Sequence, residues 1–264
     1  MFQHFTPQEV LARLGPPRRL LSTSAKSEKS RGVGVLSRVL YLTSGVFCPG
    51  ATAGCLGVCL GHSSGRMTML QSANARDRRT ALYAEDQEYF LDLLRCDLRQ
   101  LREDARLEGM TPAVRLNGTS DIPWERLHGE LFVEFQDLEF YDYTKVAARV
   151  RKFILSRHGL ADFPPNYHLT FSASEGSEAE ARELLAGGAG VAVVFWPHLP
   201  ENHWGYPVLN GDKHDARFLD SEHVSELEGY VVGLAAKGAA HEDRSGFVVK
   251  TAGEPAWLKH ANAA

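Results

Sequence analysis

Five short apolar runs, each five to seven residues long and followed by a stretch with helical or turn character, recur along the middle of this chain. They are Arg38–Thr43, Ala113–Asn117, Leu138–Thr144, Tyr167–Ser172 and Gly190–Phe195. Strand-then-helix alternation is the signature of a parallel sheet whose strands are joined by right-handed crossovers, so few architectures remain open. The pattern predicts an α/β protein built as a partial or irregular (β/α) barrel with parallel strands. Between the first two runs, Met67–Leu107 carries Phe90, Leu94, Leu98 and Leu101 at helical spacing, enough for one long helix or two. Val146–Arg157 reads as another helix, and Ser177–Leu185 as one opened by a Ser-x-x-Glu cap at Ser177 and Glu180. Later pieces, Tyr206–Asp220, Tyr230–Leu234 and Phe247–Lys250, are strand-like but interrupted, which leaves closure of the sheet open.

Residues 1–37 read as an N-terminal arm with one short helix, Pro7–Leu14, before a polar stretch rich in Ser and Lys. Residues 38–250 form the barrel-like domain, and 251–264 a C-terminal tail. A net charge of -4 argues against a surface built wholly to hold nucleic acid, though it leaves room for a local basic groove. No run approaches the roughly 18 apolar residues of a membrane span, and no signal-peptide segment opens the chain, so no membrane and a cytoplasmic location are expected.

Four cysteines occur, and three of them, Cys48, Cys55 and Cys59, fall within twelve residues directly after the first strand. That clustering suits a metal or redox site in a reducing compartment better than a disulfide framework. Glycines 50, 54 and 57 let the loop wrap closely and aim its amides inward. Three thiolates there can hold three irons of a [4Fe-4S] cluster and leave the fourth iron open for a ligand. Structural zinc, completed by Cys96 or a histidine such as His62, is the alternative, and unmetallated thiols are the plain reading. No second pair of closely spaced ligands accompanies the trio.

Parallel α/β sheets gather function at the C-terminal ends of their strands. Arg115 and Asn117 stand there as binders of a carboxylate, phosphate or cofactor, and Asp121 as a catalytic group that orients a hydroxyl or takes a proton. Two apart on an extended strand, Arg115 and Asn117 should share a face. Against this, Asn117-Gly118 reads equally as a turn and Asp121 as a helix cap. Tyr143, sharing a face with Tyr141, is a second catalytic candidate, with core packing its rival reading. Ser172 and Ser174 are cofactor-binding candidates and Glu175 a catalytic one, the rival being a capping turn. Trp196, His198, His203 and Trp204 lie in a Pro-rich loop that could close over the mouth. Asn210–Asp220 is the densest polar run of the chain; it invites a second site, although Asn210-Gly211 also signals a hairpin turn.

The order of these features, a strand, a three-cysteine loop, then further βα units, resembles radical S-adenosylmethionine enzymes. That resemblance implies S-adenosylmethionine on the open iron and an enzyme acting on a nucleotide or macromolecule. The C-x6-C-x3-C spacing departs from those enzymes' usual C-x3-C-x2-C, and Asn117–Asp121 stands where they carry a Gly-Gly-Glu-Pro run. The segments LSTSAKSEK, CPGATAGCLGVC, VRLNGTSDIPWE, FYDYTK and NGDKHDARFLD together resemble the phage "gene product 88" family. That resemblance implies a phage or mobile-element origin, and with it the host cytoplasm, but no reaction, and it leaves open a host protein or nucleic acid as partner. It also admits a non-enzymatic protein with a structural zinc or iron-sulfur site.

Overall fold

In the computed structural model, residues 5–223 and 228–251 are described. Ten strands form one mostly parallel sheet: β1 (Leu21–Ser22), β2 (Val35–Leu40), β3 (Thr111–Arg115), β4 (Glu139–Thr144), β5 (Tyr167–Ser172), β6 (Gly190–Trp196), β7 (Asn202–His203), β8 (Tyr206–Asn210), β9 (Tyr230–Ala235) and β10 (Val248–Lys250). Their order across the sheet is β1-β2-β3-β4-β5-β6-β9-β8-β7, and β10 pairs with the C-terminal half of β6. The sheet is not closed into a barrel, contrary to the barrel expectation. Its two ends are occupied by the two-residue strands β1 and β7, each antiparallel to its neighbour, and no seam joins them.

The helices are α1 (Pro7–Leu14), α2 (Ala25–Lys29), α3 (Ala53–Gly57), α4 (Leu60–Ser63), α5 (Leu70–Glu85), α6 (Gln87–Glu108), α7 (Trp124–Leu127), α8 (Glu130–Glu134), α9 (Ala147–Arg157) and α10 (Glu178–Ala186). From β2 to β6 the chain steps one strand at a time in one direction, so right-handed crossovers put the longer helices on a single face. The alternation of strand side chains agrees. Leu36, Val114, Phe140, Leu169, Phe171 and Val193 pack with Leu94, Leu98 and Leu101 of α6 in the main core. The step from β8 back to β9 runs the other way, and the described part of its connection, with a 3-10 turn at Arg217–His223, lies on the opposite face. There Ala216 packs with Val35, Ala113 and Tyr141, and the Phe218 ring lies 6.1 Å from that of Tyr141.

The expected helix over Met67–Leu107 is two helices that part at Asp86, whose side chain accepts from the Tyr89 amide at 2.9 Å to cap the second. Helix α1 spans the expected residues and opens with a capping box between Thr6 and Glu9. The expected cap of α10 is not formed: Ser177 turns away and exchanges hydrogen bonds with the Ser174 backbone, at 2.9 Å each. Strands β2 and β3 begin three and two residues earlier than expected, and Asn117 lies beyond its strand. The segment read as an arm contributes Val10, Leu20 and Leu21 to buried positions and the strand β1. The tail from residue 252 lies outside the described residues.

Candidate metal centre

Beyond β2 the chain folds over the C-terminal edge of the sheet, and the cysteine loop is fastened there by backbone contacts. The Asp121 amide donates to Phe47 O at 2.7 Å, and the Gly54 amide donates to Glu175 Oε1 at 2.7 Å. Close approach explains two of the glycines. A Cβ on Gly54 would lie 2.2 Å from Ser245 Oγ and 2.7 Å from both Glu175 carboxylate oxygens, and one on Gly50 would lie 2.9 Å from Lys145 Cβ. Thr52 caps α3 by accepting from the Cys55 amide at 3.2 Å.

All three thiols of the loop are half-buried. Cys48 Sγ donates to Thr119 O at 3.6 Å. Burial pushes the Cys48 thiol up to about 11, with the charges of Cys59, Asp121 and Cys55 adding to the shift. Burial likewise raises Cys55, while the Lys145 ammonium opposes the rise. Lys145 is the counterpart: burial lowers it, and the charges of Cys55, Asp121, Glu175 and Cys48 work against that. Its ammonium donates to Ser172 O and Oγ, both at 3.1 Å, and stands 4.9 Å from the Phe247 ring centre. The three thiols therefore share one electrostatic environment with Asp121, Lys145 and Glu175. Among the described residues, however, no group of three or more His, Cys, Asp or Glu is already arranged to hold a metal ion. His62 and Cys96 are exposed, the first at the end of α4 and the second on α6.

Of the residues singled out in the sequence, Asp121, Ser172 and Glu175 gather at this mouth. Asp121 is heavily engaged: Oδ1 accepts from Arg149 Nη1 at 2.6 Å and Oδ2 from the Lys145 amide at 2.9 Å. One oxygen of Glu175, Oε2, is buried with no hydrogen-bond partner among the described residues. Ser174 is taken up in its turn with Ser177. Arg115 and Asn117 do not share a face, contrary to the alternation argument, because the strand ends between them. Asn117 instead enters a buried network: its amide and Nδ2 donate to Asp142 at 2.6 and 3.1 Å, and Oδ1 accepts from Ser120, Ile122 and Trp124. Burial pushes the Asp142 carboxyl up to about 7, against the pull of Arg115 and the Asn117 amide.

Arg115 and Tyr143 belong to a second cluster on the face away from the main helices. Arg115 Nη1 lies 3.5 Å from Asp215 Oδ2, and its guanidinium stands 4.6 Å from the Tyr143 ring centre. Lys26 Nζ pairs with Asp215 Oδ1 at 3.0 Å, and Tyr141, hydrogen-bonded to Ser37 at 2.6 Å, donates to Asp215 Oδ2 at 3.4 Å. The Tyr143 hydroxyl is buried with no hydrogen-bond partner among the described residues. Of the further members of these clusters, Asp215 lies in the polar run read as a possible second site and Lys145 follows Tyr141 and Tyr143 in the same alternation, so Lys26 is the one that sequence reasoning passed over. Its one visible signal was the density of charge in the segment 24–29. The Asn210-Gly211 step makes no hairpin. The hairpin is β7–β8, closed by Trp204 and Gly205 at positive φ of 55° and 88°, the geometry of a type I′ turn. His214 Nδ1 lies 3.2 Å from Arg217 Nη2.

The profile described as gene product 88 matches residues 18–251. The chain belongs to the gene product 88 family. The match in this gene product 88 protein begins just before β1 and ends just after β10, so it takes in both clusters. No curated protein and no solved structure matches the chain. The likeness to radical S-adenosylmethionine enzymes thus rests on the order of elements alone. No helix among the described residues is long and apolar enough to cross a membrane.

Proposed function

We propose that this gene product 88 protein is an iron-sulfur protein in which Cys48, Cys55 and Cys59 hold a [4Fe-4S] cluster with one iron left open. One observation carries the reading: three half-buried thiols sit on the first strand-to-helix loop, at the C-terminal edge of a parallel sheet, beside a half-buried lysine and a buried, unpartnered carboxylate oxygen. The donor set fits, since three thiolates are the ligand chemistry of such clusters, and the glycines at 50 and 54 bring backbone close. The sulfurs do not form a ready cage, so loading draws the loop together and releases the thiol protons. When bound, the cluster supplies electron transfer, and its open iron suits S-adenosylmethionine, as in the enzymes the order of elements resembles.

The chain's own groups have definable parts. Lys145 offsets the negative charge that three thiolates bring into a half-buried site. Glu175 holds α3 in place through the Gly54 amide and keeps one oxygen for a ligand. Anaerobic purification followed by iron and sulfide analysis tests the proposal. About four irons per chain and a broad absorption at about 400 nm are expected, and both should vanish in Cys55→Ala. Zinc in place of iron, without colour, would overturn the cluster and favour a structural metal.

A further inference from the structure

Away from the cysteine mouth, the sheet parts. Strands β5 and β6 pair through Phe171–Val191 and Ser172–Ala192 alone, so among the described residues the first four residues of β5 have no strand beside them on that side. β6 begins too late to reach them. A cavity of about 430 Å³ lies at this gap, within the range of about 300–1,000 Å³ typical of small-molecule sites.

Its walls are of two kinds. Phe153, Phe218 and Tyr230 supply aromatic surface, with His168 between two of them at 6.3 Å from the Phe153 ring centre and 5.6 Å from that of Phe218. Arg157 and Arg217 supply guanidinium groups, and the Thr170 side chain a hydroxyl. Arg217 is 3% exposed, and although Nη1 pairs with Asp220 at 3.0 Å, its Nε is buried with no hydrogen-bond partner among the described residues. A buried donor left open beside a cavity points to a ligand atom that accepts from it. Burial raises the Tyr230 phenol well above its ordinary range, so that hydroxyl stays neutral and can donate or accept.

We infer that this cavity binds a mononucleotide, its base against the Phe218 and Tyr230 rings and its phosphate held by Arg157 and Arg217. Aromatic faces accept any base, the open Nε of Arg217 and the guanidinium of Arg157, whose Nη1 also reaches Gly188 O at 3.4 Å, donate to phosphate oxygens, and the open edge of β5 offers backbone groups to the base edge. The site is separate from the cysteine mouth and stands whether or not a cluster is bound there.

Isothermal titration of the full chain with adenosine monophosphate, adenosine and inorganic phosphate tests it. Adenosine monophosphate should bind saturably, and adenosine or phosphate alone at least about tenfold more weakly, because each lacks one half of the recognition. Phe218→Leu, which keeps apolar bulk and loses the ring face, and Arg157→Gln, at an exposed position, should each weaken binding about tenfold. Thermal unfolding of both variants checks that they remain folded. A 5′-phosphorylated oligonucleotide that competes with adenosine monophosphate assigns the end of a strand as the source of the nucleotide; one that does not compete assigns the free nucleotide. No heat of binding with adenosine monophosphate, or an affinity unchanged in both folded variants, overturns the inference.

Discussion

Arg149 is the residue that holds the mouth's acidic wall in place. With a side chain 8% exposed, it meets Asp121 through Nη1 and grips Glu125 at both oxygens, 2.9 and 2.8 Å from Nε and Nη2. A bidentate pair of this kind depends on the planar fork of arginine, which a lysine lacks. Arg149→Met would take the paired guanidinium from two buried carboxylates and should cost about 3–5 kcal/mol in urea unfolding at neutral pH. The thiols carry a second expectation. In metal-free protein, mass spectrometry after mild alkylation should find exposed Cys96 modified well before Cys48, because a half-buried thiol pushed up to about 11 offers little thiolate. Equal rates would show that the loop stands open. Asp121 was legible in the sequence as a residue of the mouth. Its engagement by an arginine 28 positions later was not, since nothing in a local pattern reports a partner on another helix.

The segment after β3 shows how an element's residues answer to its neighbours. Asn117-Gly118 reads as a turn by composition, yet no positive φ is recorded for Gly118. What requires glycine there is β2: a Cβ would lie 2.6 Å from Val39 Cγ1 and 2.7 Å from Leu40 O, while the Gly118 amide donates to that same carbonyl at 3.0 Å. Gly118→Ala should therefore destabilise the protein by about 1–3 kcal/mol, read as a lower urea midpoint, since a backbone oxygen cannot swing aside as a side chain can. The same reasoning explains the helix caps. Thr6, three residues before Glu9, caps α1 in a capping box, whereas Ser177 is diverted to Ser174 by the turn that presents Glu175 to the cysteine loop. Local capping rules hold until tertiary contacts offer the hydroxyl a better place.

Asp215 ties together parts of the chain that lie far apart in sequence. It meets Lys26 near the N-terminus, Arg115 at the end of β3 and, through its amide, Ser30. Burial alone would raise its carboxyl, but the charges of Lys26, Arg115 and Arg217 outweigh burial and hold it well below the usual carboxylate range. A depressed pKa means that the stabilisation is complete above the unfolded value of about 4 and is lost as the pH falls below it. The urea midpoint of the native protein should therefore drop between about pH 5 and pH 3 more steeply than that of Asp215→Asn, which lacks the titrating group. At neutral pH the variant should already be weaker by about 3–5 kcal/mol, because Lys26 and Arg115 lose their buried partner. A variant that titrates as steeply as the native chain would remove Asp215 from the account.

From the sequence came the alternating α/β class, the extents of α1, α9 and β5, and the placing of a three-cysteine loop after the first long parallel strand. These are legible because hydrophobic period, turn residues and caps act over a few neighbouring residues. The open ends of the sheet, the reversal between β8 and β9, the parting of β5 from β6 and the division of the polar residues into two clusters are tertiary decisions. Each depends on where the chain next crosses itself. Lys26 and Asp215 stand 189 positions apart and meet at 3.0 Å, a contact between burial and charge that no local pattern carries.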